Sequence, residues 1–121
     1  MKNCLDTYAL IEIILENPKY SFLVNQHFVI TNLTLVELYK TMLKKFGKEI
    51  ALIWYDKFKP YCEDVDIDLL VKAVDFQYEN RREDVSLFDC IGYIFSLENN
   101  LTFVTGDKAF KNKNGVLFIQ K

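Results

Sequence analysis

The chain has 121 residues, half of them hydrophobic, and a formal net charge of −2. This length suits one domain with one core and is too short for two, so we expect a single domain over residues 1–121. Only four glycines and two prolines occur, which argues against a disordered or low-complexity protein. A generic nucleic-acid-binding protein would be more basic.

The sequence offers no membrane segment and no disulfide framework. No apolar run approaches the ~20 residues of a membrane helix, and the N-terminal segment carries several acids and no small-residue cleavage site. Cys4, Cys62 and Cys90 are odd in number and widely spaced, which is typical of buried thiols in a reducing compartment. We therefore expect a cytoplasmic protein.

Short apolar runs alternate with stretches of helical periodicity along the chain. The pattern predicts five strands, at Asn3–Leu5, His27–Ile30, Cys62–Val65, Leu101–Val104 and Val116–Ile119. Between the first two strands it predicts a helix through Leu10 and Leu15 that ends at Asn17-Pro18, and a short helix at Lys19–Asn25. Between the later strands it predicts a helical hairpin of Thr34–Phe46 and Lys48–Lys59, helices at Ile67–Asn80 and Ser86–Leu97, and a helical turn at Asp107–Phe110. Strands separated by helices predict a parallel sheet covered by helices on both faces, a three-layer α/β/α domain.

Four acids follow predicted strands or begin the next helix. Asp6 comes directly after the first strand, and Glu37 falls in the first turn of the helix after the second. Asp89 falls in the first turn of the helix predicted at Ser86–Leu97, and Asp107 follows the strand predicted at Leu101–Val104. In a parallel sheet these positions share one edge, beyond the carboxyl ends of the strands, where ligands bind.

Helix capping explains each of these acids when it is taken alone. Thr34 and Ser86 each precede an acid by three residues, as in a capping box, and the two acids that follow strands fit simple N-caps. Together, however, four carboxylates on one edge repel one another, and each helix dipole offsets only ~0.3–1 kcal/mol. A divalent cation would compensate that charge, and oxygen ligands suit Mg²⁺ or Mn²⁺.

The segments around the four acids carry a family resemblance. LDTYALI at 5–11, LTLVELY at 33–39, SLFDCIGYIF at 86–95 and FVTGDKAF at 103–110 resemble, in order and spacing, the motifs of the PIN-domain family, and are similar to those of VapC-type toxin ribonucleases. The resemblance implies about five parallel strands and Mg²⁺- or Mn²⁺-dependent cleavage of phosphodiester bonds, usually in RNA. It also implies a homodimeric toxin of a prokaryotic toxin–antitoxin pair, with a small antitoxin protein as partner.

The same resemblance assigns roles to individual residues. It makes Asp6, Glu37, Asp89 and Asp107 the catalytic and metal-binding cluster. We expect Asp6 and Asp89 to bind the metal directly. Glu37 and Asp107 would bind it through water or complete a second metal position. It also implies that the hydroxyls of Thr7 and Thr105 brace the carboxylates. An alternative for Thr105 is that its hydroxyl forms a turn beside Gly106.

The remaining polar residues give weaker signals. Lys108, Lys111 and Lys113 follow the last acid, and we expect them to neutralise phosphates of the substrate. His27, the only histidine in the sequence, begins a strand and is a poor candidate for a general base.

Two other functions compete with a nuclease. A PIN-like module that binds RNA or a protein without cutting would keep the fold and lack activity. Phosphoryl transfer through an aspartyl-phosphate is conceivable at Asp6, but the usual D-x-D partner is missing because position 8 is tyrosine. A P-loop or dinucleotide-binding enzyme is excluded, since no GxxxxGK or GxGxxG occurs.

Overall fold

Five parallel strands form the centre of the computed structural model, which describes residues 2–120. The strands are β1 (Asn3–Leu5), β2 (Phe28–Thr31), β3 (Cys62–Glu63), β4 (Thr102–Thr105) and β5 (Val116–Phe118). Their order in the sheet is β3-β2-β1-β4-β5, and every pair is parallel. The predicted α/β fold with about five parallel strands is confirmed.

Helices connect the strands. They are α1 (Thr7–Ile14), α2 (Asn32–Phe46), α3 (Lys48–Phe58), α4 (Ile67–Glu79) and α5 (Leu87–Glu98). Short 3₁₀ segments lie at Ser21–Asn25, Lys59–Tyr61, Arg81–Glu83 and Lys108–Phe110. No helix within residues 2–120 is long and apolar enough to cross a bilayer.

The two faces of the sheet carry separate cores because successive side chains of a strand point to opposite faces. Leu5, Ile30 and Val104 point toward α1, α2 and α3. Cys4 and Phe103, in the neighbouring positions of β1 and β4, pack with residues of α4 and α5 on the other face. The central strands are therefore buried on both sides, as is usual for a parallel sheet, and their carboxyl ends meet at one edge.

The start of α2 differs from the prediction. The Thr34 N–H donates to the Thr31 hydroxyl oxygen at 3.0 Å, so Thr31 is the N-cap and the helix begins at Asn32. The predicted start at Thr34 was wrong, as was its role in a capping box. Glu37 consequently lies in the second turn of α2, where its carboxylate cannot cap the helix end.

Other element ends shift by a few residues. The strands predicted at His27–Ile30 and Leu101–Val104 both lie one residue later. Helix α1 ends at Ile14, before the predicted break, because the chain turns at Glu16 with φ of 60°. The three cysteines are free thiols; Cys4 and Cys90 are buried as predicted, whereas Cys62 is only half-buried.

Candidate functional site

Three of the four predicted acids line one cavity at the carboxyl edge of the sheet. The cavity has a volume of about 570 Å³, and Asp6, Asp89 and Asp107 all border it. Asp6 follows β1, and Asp107 follows the adjacent strand β4, so the sheet order brings them together. Asp89 reaches the same cavity from the first turn of α5.

The Asp6 carboxylate is buried and accepts hydrogen bonds from Ala9 and from Thr105. Its side chain is only 3% exposed and caps α1 by accepting the Ala9 N–H at 2.7 Å. Burial raises the pKa of Asp6 to about 6, against the lowering effect of hydrogen bonds from Thr105 and Ala9. Glu37 and Asp107 raise that pKa further through their negative charges. The predicted N-cap is present, but capping does not neutralise this site.

The pKa of Asp89 is raised further than that of Asp6. Burial raises its pKa to about 8, and the charges of Asp6, Glu37 and Asp107 add to that rise. Ser86 caps α5 as predicted, with its hydroxyl oxygen accepting the Asp89 N–H at 3.1 Å, and its hydrogen bond lowers the pKa of Asp89 only in part. The four acids therefore act on one another electrostatically.

Glu37 reaches the cluster from α2 through Thr7. The Thr7 hydroxyl, at the start of α1, donates a hydrogen bond to a Glu37 carboxylate oxygen. Thr7 is buried and Glu37 is half-buried, so the bond ties the two helices together beside Asp6. Glu37 lies beyond the first turn of α2, so helix capping does not explain its position.

Thr105 and Asp107 form the other side of the site. The Thr105 hydroxyl oxygen accepts the Asp107 N–H at 3.1 Å, while its hydroxyl is hydrogen-bonded to Asp6. Asp107 in turn accepts the Ala109 N–H at 3.0 Å, as an N-cap of the following 3₁₀ turn. One side chain thus bonds both the turn at Asp107 and the Asp6 carboxylate.

The three predicted phosphate-binding lysines lie in different surroundings. Lys108 is exposed and lines the acidic cavity. The Lys111 ammonium lies 5.7 Å from the ring centroid of Phe118, another residue of the cavity wall. Lys113 is instead paired with Glu83 at 3.2 Å, outside the cavity lining.

The donor set fits a hard divalent cation bound largely through water. Within residues 2–120, no three His, Cys, Asp or Glu side chains stand close enough to hold a metal on their own. Mg²⁺, however, commonly binds one or two carboxylates and keeps several waters. The ion pairs described for this part of the chain involve none of the four acids. A cation held directly by Asp6 and Asp89 and through water by the others would offset the negative charge that adds to the raised pKa of Asp6 and of Asp89.

Sequence reasoning missed several residues of the cavity wall. Tyr8, Gly106, Phe118 and Gln120 line it beside the acids. Tyr8 and Gly106 are neighbours of predicted site residues in the sequence, so they could have been found from their position in the chain. The other two enter because β5 pairs with β4, a pairing that the sequence does not reveal. His27 lies at the opposite edge of the sheet, in a different cavity.

A family model for the PIN domain matches residues 4–116. The chain belongs to the PIN domain family. No curated protein matches the sequence.

Solved structures share the PIN fold along the whole chain. A toxin–antitoxin complex from Klebsiella pneumoniae has 18% identity and a TM-score of 0.76, with 98% of this chain and 99% of that chain covered. VapC20 of Mycobacterium tuberculosis, a sarcin–ricin loop cleaving toxin, has 13% identity and a TM-score of 0.80 over the same shares. DNA-bound VapBC from Salmonella typhimurium has 20% identity and a TM-score of 0.75 over 99% and 98%. At these identities the likeness concerns the fold.

Proposed function

We propose that this PIN-domain protein is a divalent-metal-dependent endoribonuclease that hydrolyses RNA phosphodiester bonds. One observation carries the proposal. Burial and the charges of the neighbouring acids raise the pKa of Asp6 and of Asp89 at the carboxyl edge of the sheet, and no described ion pair compensates the four acids. Such a cluster costs folding free energy unless it binds a cation, so its presence favours a metal-binding function.

In this proposal each side chain has a distinct task. Bound Mg²⁺ or Mn²⁺ would acidify the attacking water and stabilise charge on the phosphate. Asp6 and Asp89 would hold the cation directly, and Asp107 would orient water around it. Glu37 would do the same, held in position by Thr7. The cation would also stabilise the ionised carboxylates, which suppresses their protonation near neutral pH.

At the rim of the cavity, lysine charge would favour a phosphate. Lys108 is exposed and borders the cavity, so it would offset the negative charge of an approaching strand. Lys111 lies over the Phe118 ring, behind the cavity wall, so its charge would act on the phosphate from a greater distance than that of Lys108. Lys113 would contribute least, because Glu83 already neutralises it.

The biological setting proposed is that of a prokaryotic toxin. Two of the solved structures are described as a toxin–antitoxin complex and as DNA-bound VapBC. These two complexes support a small antitoxin protein as a partner, and we extend the proposal to a cytoplasmic homodimer whose nuclease domain spans residues 1–121.

Cleavage by the Asp6→Asn variant tests the mechanism, with Asp66→Asn as its matched control. Both aspartates cap a helix by accepting a backbone N–H three residues on, from Ala9 and from Leu69. Asparagine caps about as well as aspartate, so both variants should fold. With an RNA pool and Mg²⁺ or Mn²⁺, we expect wild type and Asp66→Asn to cleave. Asp6→Asn should lose at least about a hundredfold in rate.

The same assay separates the alternative of a non-catalytic RNA- or protein-binding module. EDTA should abolish cleavage by the wild type. Cleavage that persists in EDTA, or at an undiminished rate in Asp6→Asn, would rule out the metal mechanism. Binding of RNA with no cleavage under either metal would favour the module.

A further inference from the structure

Helix α4 carries a stripe of exposed apolar side chains along its outward face. Ile67, Val71, Val74 and Tyr78 are 70%, 54%, 48% and 66% exposed. Their spacing of four, three and four residues places them on one side of the helix. Single exposed apolar side chains are ordinary on a protein surface. Four in succession along one helix face form a continuous patch, which marks an interaction surface.

The inward face of α4 is apolar as well and packs inside the domain. Leu69 and Ala73 are buried, and Phe76 is half-buried, in the core that α4 shares with α5 and the sheet. These three residues already attach α4 to the rest of the fold. A helix that is apolar on both faces is usually covered on both. The stripe is therefore available to a partner.

The stripe is complementary to a reversed copy of itself. Its spacing reads the same from either end, so two antiparallel α4 helices place Val71 against Val74 and Ile67 against Tyr78, each pair twice. A cavity of about 300 Å³ is lined by Val74 and Tyr78. Ile67 is the most exposed member of the stripe, and this pairing brings it to that cavity on the second copy. Two-fold symmetric association requires such a self-complementary surface.

Charge at the two ends of α4 favours the same antiparallel arrangement. Glu63 and Asp64 precede the helix, whereas Arg81 and Arg82 follow it, and all four are exposed. Arg81 lies over the Tyr78 ring, 4.4 Å from its centroid, and so extends the stripe. Reversing one copy brings the acidic end of each helix to the basic end of the other. A parallel pairing would place acid against acid and base against base.

We propose that two copies of this chain associate through antiparallel α4 helices about a two-fold axis, with Val71 and Val74 at the centre and ionic contacts at both ends. Asp68 and Asp75 border the stripe and stay in solvent at the rim of this interface, where salt and water screen their charge. The inference rests on the homodimer of the proposed function and gives it a defined interface. It does not depend on catalysis.

Sedimentation velocity over a range of protein concentrations measures the association. The 13-residue helix is about 20 Å long, so the interface is small and the dimer should dissociate on dilution. Val71→Lys should weaken dimerisation at least about tenfold, because the two-fold axis buries the introduced charge twice. Ile53→Lys is the matched control: Ile53 is also 54% exposed but lies on α3, so this variant should dimerise like the wild type.

A pair of charge-reversed proteins tests the antiparallel arrangement. One carries Glu63→Arg and Asp64→Arg, and the other carries Arg81→Glu and Arg82→Glu. Each should self-associate at least about fivefold more weakly than the wild type, since like charges then meet at both ends. An equimolar mixture should recover a dimer of about wild-type affinity, because every altered end meets an opposite charge. Recovery in the mixture also shows that both proteins are folded.

The outcomes distinguish the interface from the dimer and from the nuclease. Dimers that survive Val71→Lys, an equal loss in Ile53→Lys, or a charge-reversed mixture that dimerises no better than either protein alone would overturn the α4 interface. A wild type that stays monomeric at every concentration would refute the interface together with the proposed homodimer. RNA cleavage is assayed on the same samples. A wild type that dimerises through α4 without metal-dependent cleavage would refute the nuclease and leave the interface standing.

Discussion

Asp89→Asn should stabilise the metal-free protein near neutral pH, although most substitutions in a folded protein destabilise it. The pKa of Asp89 rises from 3.8 to about 8 in the fold. Because the folded state binds the proton more tightly, the free energy of unfolding falls as pH rises from about 4 toward 8. Asparagine removes this penalty, because it carries no charge to desolvate.

The size of the effect follows from the shift. At pH 7.5 full linkage would cost about 5 kcal/mol, at about 1.4 kcal/mol for each pH unit above 3.8. Water and counterions in the open cavity raise the effective dielectric and reduce this to about 2–3 kcal/mol. At this pH Asp89 is mostly protonated in the fold, so its replacement by asparagine removes little helix-dipole energy. We therefore expect net stabilisation of about 2 kcal/mol.

Urea denaturation in EDTA at pH 7.5 and pH 4 measures the difference directly. Asp68 is the matched control, since it is an exposed acid in the first turn of α4. Asp68→Asn should show only the small dipole loss at both pH values. The gain in Asp89→Asn should disappear at pH 4, where wild type is also protonated. Equal or lower stability of Asp89→Asn at pH 7.5 would refute the raised pKa of Asp89 in the fold.

Three further substitutions probe the supports of the site. Thr7→Val removes the hydroxyl that holds Glu37 and should slow cleavage about tenfold while changing stability by less than about 2 kcal/mol. Gly92→Ala should destabilise by about 1–3 kcal/mol, because its Cβ would lie 2.8 Å from the buried Phe103 ring; urea denaturation measures this. Lys108→Ala should raise KM for RNA and lower the salt dependence of binding by about one counterion.

The threonine and lysine substitutions each have a matched control. Thr34→Val removes a buried hydroxyl that bonds Thr31, away from the acids, and should leave cleavage unchanged. Lys113→Ala should leave the salt dependence unchanged, because Glu83 already pairs with that lysine. Gly92→Ala would instead gain up to about 1 kcal/mol if helix propensity alone decided the outcome. Equal activity loss in both threonine variants would mean that Thr7 has no specific role.

The sequence was sufficient for features that depend on local pattern. The alternation of strands and helices predicted the parallel sheet, and the positions of Asp6 and Asp107 after strands placed them at one edge. Ser86 as an N-cap followed from residue type and spacing. Element ends were less certain because Thr31 and Thr34 are both good caps, and only the tertiary structure decides between them.

The cavity wall could not be predicted, because it depends on strand order. Phe118 and Gln120 come to the site only because β5 lies beside β4. The contact between Thr7 and Glu37 likewise requires α1 and α2 to pack side by side. The separate position of Lys113 depends on Glu83, which is distant in sequence. Predictions that rested on residue types close in the chain held better than those that needed long-range neighbours.

Titration of the RNA-free protein with Mn²⁺ at pH 7.5, by isothermal calorimetry, tests the central claim most directly. We predict saturable binding to wild type, and the same binding to Asp68→Asn. Asp89→Asn should bind at least about tenfold more weakly, because it lacks a direct carboxylate ligand. No saturable binding to wild type, or equal affinity in Asp89→Asn, would contradict a metal site built from the four acids.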